Sequence, residues 1–489
     1  RIEAVGRFED LYRLSPQADV IDAGDGAVWP GLVDGHAHPL WLGRSLESVD
    51  LTRAHAMADV GALCLEWAAS HPDGWVLGRG WDETRFRDAA PVARDLLDTL
   101  FPYRPVMLTR ADEHAVLVNA AALRVAGITN TTPDLKGGRV GREASGKATG
   151  ILVDRAIDFV KAVLPAPTRA DRERWILAAA RHALGHGLTG VHDACVDPET
   201  DEAYLSLAAA GALPIRTYAM ADGLKDAGLD LVRQGLRPER GLYGMRTLKL
   251  FADGSLGSRG AQFFTPYADE PSTCGLAVQS DDELFERAAL ATQHGFQVAV
   301  HAIGDRACAR TLSIFERLVG EGLMPIRPRL EHAQVLCDDE RVRAARLGVV
   351  CAMQPVHAAS DVRFALERLG PARLRGAYAW RSMLRHGVPL AFGSDFPVES
   401  ARPLDGLAAA VRDAPGARWG ERADESLTLS EAVDAYTRGN AFASMREAEL
   451  GVLRPGALAD VTVLDADPHD VPAWERIGVV ATIVDGCLR

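Results

Sequence analysis

From residue 185 to 397, short apolar runs alternate with longer stretches whose apolar positions recur every three or four residues. The first pattern predicts buried strands and the second amphipathic helices. Residues 171–184 show the helical spacing: Trp175, Ile176, Ala179, Ala180, Ala183 and Leu184 share one face, and Gly185 follows as a stop. Strands are predicted over 188–192, 215–220, 247–251, 297–301, 329–332, 349–353 and 389–392. Helices between them are predicted over 282–294, 306–319, 339–347 and 373–386. An apolar segment over 28–34 precedes them all and brings the strands to eight. Regular β-α alternation implies parallel strands joined by right-handed crossovers. Eight such units favour an α/β fold of the (β/α)8 TIM-barrel type, whose reactive groups gather at the C-terminal strand ends.

Residues 51–161 break the rhythm, with apolar runs at 75–80 and 106–108 and a turn-rich stretch over 129–150. A long insertion after the first barrel strand usually carries function, so this segment is expected to be a lid over the barrel mouth; the alternative is a structural outgrowth. Short β-like pieces occur at 2–5 and 20–27, and again at 451–453, 460–464 and 479–484. They predict an accessory β-sandwich made from both termini, residues 1–28 and 448–489. The barrel then takes 29–50 and 162–447. Thr428-Leu429-Ser430-Glu431 has the capping-box pattern that starts a helix.

Composition narrows the partners. Of 489 residues 47% are hydrophobic and 25% charged, an ordinary globular balance. Lys and Arg number 54 against 67 Asp and Glu, a net charge of −13. Such a surface repels phosphate backbones and anionic lipid, which disfavours nucleic acid and membrane partners. No apolar run approaches the roughly 20 residues that span a bilayer. Seven dispersed cysteines without CxxC spacing read as reduced thiols in a cytoplasmic protein. The opening Arg1-Ile2-Glu3 is not a signal peptide and reads like the middle of a strand, so native residues are expected before it. A small-molecule substrate is expected, and a homodimer is the commonest assembly.

Gly35-His36-Ala37-His38-Pro39 follows the first barrel strand. Residues two apart in extended backbone point the same way, so His36 and His38 offer two imidazoles to one cation. His301 ends the fifth strand, His332 the sixth, and Asp395 follows the eighth. Four histidines and an aspartate on one rim are the donor types of a divalent metal site, with Zn2+ the leading ion. Lys249 sits in the fourth strand. It is an ammonium snorkelling to solvent, one paired with Asp253, or a carbamate formed with CO2 that bridges two cations. A cation lowers the pKa of bound water toward about 7, and the hydroxide attacks a carbonyl carbon. Asp395 is the catalytic candidate, a ligand that also takes the proton of that water or a ligand only.

Substrate candidates are weaker. His192 ends the second strand, as a substrate contact or a packed rim residue. Asp253 orients Lys249 or the substrate. Arg259 is an anion clamp or a salt-bridge partner. Gln354, after the seventh strand, contacts substrate or caps the strand. His55, His71, His357 and His469 read as surface or loop residues.

The set His36, His38, Lys249, His301, His332 and Asp395 resembles the binuclear pattern of the amidohydrolase superfamily. Longer motifs resemble its YtcJ-like branch, which includes N-substituted formamide deformylases. They are Pro30-Gly31-Leu32-Val33-Asp34-Gly35-His36, Lys249-Leu250-Phe251-Ala252-Asp253-Gly254-Ser255, His301-Ala302-Ile303-Gly304-Asp305, Glu331-His332-Ala333-Gln334 and Gly393-Ser394-Asp395-Phe396-Pro397. The resemblance implies that His36, His38 and Asp395 hold one metal, that His301 and His332 hold the other, and that carboxylated Lys249 bridges them. It implies hydrolysis of an amide, N-acyl or N-formyl C–N bond other than a peptide bond. It also implies that Trp81 and Asp112-Glu113-His114 lie over the pocket, and that the first strands of the sandwich precede Arg1. A mononuclear deaminase of the same superfamily is the second reading, disfavoured by Lys249 and by Ala302-Ile303-Gly304-Asp305 after His301. A non-catalytic metal-bound regulator is the third; it would be expected to lose a ligand, and none is missing.

Overall fold

In the computed structural model, which describes residues 1–87, 92–111, 114–135, 138–412 and 425–489, the eight parallel strands expected from the alternation lie in one sheet. In chain order the strands are β1 (Val28–Pro30), β2 (Leu32–Ala37), β3 (Val49–Asp50), β4 (Val76–Trp81), β5 (Val106–Arg110), β6 (Ala115–Val118), β7 (Gly138–Arg142), β8 (Ala148–Asp154), β9 (Leu188–Val196), β10 (Arg216–Asp222), β11 (Tyr243–Phe251), β12 (Gln297–Ala302), β13 (Arg329–His332), β14 (Val350–Met353), β15 (Leu390–Phe392), β16 (Val461–Leu464), β17 (Val479–Val484) and β18 (Cys487–Leu488). The chain divides into two units, Arg1–Pro39 with Ile176–Arg489, and Leu40–Trp175.

The larger unit is a (β/α)8 TIM barrel with an antiparallel sheet from the two termini. Its barrel strands run β2-β9-β10-β11-β12-β13-β14-β15. The two edge strands β2 and β15 meet through specific bonds instead of a ladder. The Asp395 N–H donates to the His36 carbonyl at 2.7 Å. The Ser394 hydroxyl and N–H donate to the buried Asp34 carboxylate at 2.6 and 3.0 Å. The Asn440 amide donates to Val33 O on one edge and Phe392 O on the other, at 2.6 and 2.8 Å. Close approach at this seam requires glycine. A Cβ on Gly393 would meet Asp34 Oδ1 and His36 N at 2.5 Å, and one on Gly35 would meet Asn440 Oδ1 at 2.2 Å.

The lower barrel interior is polar but satisfied. Thr247 Oγ1 bonds Tyr218 and Gln297, and Gln297 Nε2 donates to Arg327 O and Ala443 O. These bonds offset the cost of burying the groups. The helix that begins after Thr428 has the expected capping box, with Glu431 reaching back to the Thr428 N–H.

Several predicted elements are corrected. The segment 28–34 is two strands: β1 joins the terminal sheet, β2 joins the barrel, and the pair divides at Gly31. The terminal sheet has the order β1-β16-β17-β18. The β-like pieces at 2–5 and 20–27 are not strands. Their apolar side chains Val5, Val20 and Ile21 are exposed, so no face is buried to hold a ladder. Backbone bonds tie them at two points, Ile2 to Ala457 and Gly456, and Ala27 to Leu464. Residues 451–453 are likewise not a strand. The helix expected over 373–386 is divided between Ala365–Leu374 and Trp380–Arg385. Between them Val335 bridges Ala377, and Tyr378 turns at φ +51° with its N–H given to Gln334 O.

The smaller unit carries a mixed sheet of order β3-β4-β5-β6-β8-β7. One core gathers Val49, Leu51, Val60, Trp81 and Leu108; a second gathers Val116, Val118, Val140 and Leu152. It extends beyond residues 51–161 at both ends. Glu47 is bonded by Arg174 and Trp175, at 2.8 Å each, and Gly43 packs on the Trp175 backbone. Among the described residues no helix is long and apolar enough to cross a membrane.

Candidate metal centre

Strand register builds the site. Phe251 pairs with His301, and His301 with Glu331, so the ends of β11, β12 and β13 are level. Alternation along β13 puts Arg329 and Glu331 on one face and would send His332 to the other. His332 instead adopts φ +71° and Ala333 φ +45°, which ends the strand. The His332 ring then lies 4.7 Å from that of His36 and 4.4 Å from that of His301. Asp395 makes a similar turn after β15, at φ +63°. Left-handed backbone at a residue with a side chain costs about 1–3 kcal/mol and persists where the surroundings enforce it.

All six expected rim residues converge. His38 Nε2 is 3.2 Å and His36 Nε2 3.7 Å from Asp395 Oδ1. Lys249 Nζ is 3.5 Å from His36 Nε2 and 4.8 Å from the Phe251 ring centre. His301 is beside His332, its Nε2 3.5 Å from Gly254 O. Among the described residues, two sets of donor atoms close within 4.8 Å: His36, His38 and Asp395, and His332, His357 and Asp395. His357 was expected to be an ordinary surface or loop residue. It is corrected here to a site residue, because the helix Pro355–Asp361 begins directly after β14 and carries it to the rim.

The second nitrogen of two imidazoles is already committed. His36 Nδ1 is hydrogen-bonded to Glu331, and His332 Nδ1 to Gln354 Oε1 at 2.7 Å. Each ring therefore keeps Nε2 for another partner. Gln354 acts on His332, not as a bare strand cap.

Electrostatics favour the same use. Burial, helped by the Lys249 ammonium, lowers the His36 pKa to about 4 and that of His301 to about 3. Both rings are then neutral at pH 7 and keep a lone pair. Burial also lowers the Lys249 pKa. Burial opposes ionisation of Asp395, but His38 and His36 outweigh it and hold the carboxyl well below the usual range.

Sequence reasoning missed Glu331 and Arg329 as a pair, although both lie in the strand predicted over 329–332. Arg329 Nε donates to Glu331 Oε1 at 2.6 Å, Nη2 to Gly35 O at 2.8 Å, and Nη1 to His192 Nδ1 at 3.0 Å. Both side chains are fully buried. Burial alone would raise the Glu331 pKa, but Arg329 and His36 hold it below the carboxylate range. The signal was present: two opposite charges spaced i, i+2 in a four-residue buried strand.

The substrate candidates separate. His192 is buried on Arg329 and beside the Tyr218 ring, a packed residue beneath the rim. Asp253 accepts N–H bonds from Gln262, Ile303 and Gly304 at 2.7–3.0 Å, and burial raises its pKa to about 7. It ties the loops after β11 and β12 together beside His301, 3.7 Å away, and not to Lys249. Arg259 is paired with Asp269 at 2.8 Å, the salt-bridge alternative. In the smaller unit Trp81 is a core residue whose indole N–H donates to Leu108 O at 2.8 Å. His114 is exposed and bonded to Asp154 at 2.8 Å. Asp112 and Glu113 lie outside the described residues.

Comparison with known proteins converges on one group. The family model described as "Amidohydrolase family" matches residues 19–488. The YtcJ protein of Bacillus subtilis (strain 168) is 33% identical over 99% of this chain and 93% of its own length. An N-substituted formamide deformylase of Arthrobacter pascens is 30% identical over 100% of this chain and 93% of its own. A solved metal-dependent hydrolase from Pyrococcus furiosus superposes with a TM-score of 0.80 at 29% identity, covering 96% of this chain and 94% of that one.

Proposed function

The chain belongs to the amidohydrolase family, a metal-dependent hydrolase by descent and fold, and on that premise we propose that it cleaves a carbon–nitrogen bond in a small amide, N-acyl or N-formyl compound. The reading assigns His36, His38 and Asp395 to one divalent cation, Zn2+ first among candidates, and His301 and His332 to a second. The donor set fits: neutral imidazoles with one nitrogen tied down, and a buried carboxylate, are the groups such ions take. When bound, a divalent cation supplies an acidified water and polarises a carbonyl oxygen.

The chain's own residues do the rest. Glu331 and Gln354 fix which nitrogen His36 and His332 present. Asp395, held ionised, accepts a proton from the attacking water and gives it to the departing nitrogen. Lys249, driven by burial toward the neutral amine, would attack CO2 through Nζ and lose a proton to give a carbamate anion, which would offer carboxylate-like oxygens to a bound cation. The seven free cysteines are consistent with a cytoplasmic enzyme.

One observation carries the proposal: side chains from opposite ends of the sequence, His36, His38 and Asp395, bring their donor atoms within 4.8 Å at one rim. A panel of N-formyl amines, N-acyl amines and nitrogen heterocycles, offered to the zinc-loaded protein, tests it. Amine released together with a carboxylate is the expected product. Ammonia released from a heterocycle, or no turnover of any member, would contradict it.

A further inference from the structure

We propose that His357, on the helix that follows β14, is a cation ligand, completing a metal position with His332 and Asp395. The proposal deepens the two-cation reading above and rests on it. That reading takes no ligand from the helix after β14, whereas the geometry offers one. Asp395 divides its carboxylate between two sets of imidazoles. Oδ1 lies 3.2 Å from His38 Nε2, while Oδ2 lies 3.8 Å from His357 Nε2. A carboxylate placed in this way has one oxygen for each of two ions.

Local structure explains why His357 arrives there. Gln354 is the N-cap of the helix Pro355–Asp361, and Pro355 occupies its first turn. Positions three apart at a helix start share a face. Gln354 therefore holds His332 Nδ1, while His357 lies parallel to that same ring, at 6.1 Å between centres and 9° between planes. The His357 side chain is only 13% exposed. Its Nε2 is shielded from solvent, yet has no hydrogen-bond partner among the described residues. A buried imidazole nitrogen without a partner is costly unless something binds it. His301 is placed differently: its Nε2 faces Gly254 O and Asp253, and no closed set of three donors among the described residues includes it.

Cobalt binding tests this apart from turnover. Wild type, His357→Ala, His357→Gln and the exposed-site control His469→Ala are stripped of metal and titrated with Co2+ against a chromophoric chelator. Visible spectra and apo melting temperatures are recorded for each. The expected result is at least tenfold weaker binding at one cation position in both His357 variants, with a changed cobalt spectrum and an unchanged apo melting temperature. His469→Ala should match wild type. Binding curves and spectra of the His357 variants that overlay wild type would overturn the proposal, even if KM changed. Wild type that takes up no Co2+ would overturn the two-cation reading itself. A cobalt-soaked wild-type crystal gives a reading free of variants. Cobalt at roughly 2.0–2.2 Å from His357 Nε2 supports the proposal, and cobalt held only by other residues refutes it.

Discussion

A histidine ring has two nitrogens, and what holds one decides what the other can do. Glu331 and Gln354 perform that task for His36 and His332. Glu331→Gln keeps the shape but removes the charge, and leaves Arg329 buried without its counter-ion. We expect zinc affinity to fall about 10–100-fold, the usual effect of losing such a support. Chelator competition measures it, and unaltered affinity would show that the pair serves only packing. Asp395→Asn retains an oxygen but cannot take a proton. Turnover should fall about 10²–10⁴-fold, with circular dichroism unchanged. That the rim residues lie in or just past apolar strands, near their C-terminal ends, was legible in the sequence. The supporting residues were not, because Glu331 reaches His36 across 295 positions and nothing local reports such a contact. His357 was overlooked for a different reason. It stands a few residues beyond its strand on a helix, where periodicity does not forecast which way a ring turns.

At the scale of elements, the barrel depends on a seam that no continuous ladder closes. Asp34, Asn440 and the two glycines Gly35 and Gly393 carry it. Asn440→Ala removes both amide bonds between the edge strands and leaves two carbonyls poorly satisfied. A loss of about 1–3 kcal/mol is expected, read as a lower melting temperature in the metal-free protein. No change would mean that the other seam bonds suffice. Parallel strands with buried faces read clearly in a sequence, and the spans of β13 and β17 were anticipated to the residue. Failures came where burial and propensity part. Residues 2–5 and 20–27 have strand-like composition but no face to bury. Residues 28–34 form one apolar run whose division at Gly31 depends on pairing with β16, more than 400 positions away.

For the whole molecule, the termini meet in one sheet and the site is assembled from residues 36 to 395. A ligand that binds only the folded barrel stabilises that barrel. Zinc at about 1,000 times its dissociation constant should contribute about 4 kcal/mol, so holo and apo proteins should melt at clearly different temperatures. Identical melting curves would argue against a cation in this barrel. The most direct measurement follows zinc content and amide turnover together while a chelator strips the protein and zinc is then returned. Turnover should decline in step with the metal removed and recover when zinc is restored. Full turnover by metal-free protein, or no zinc bound at any stage, would contradict the account.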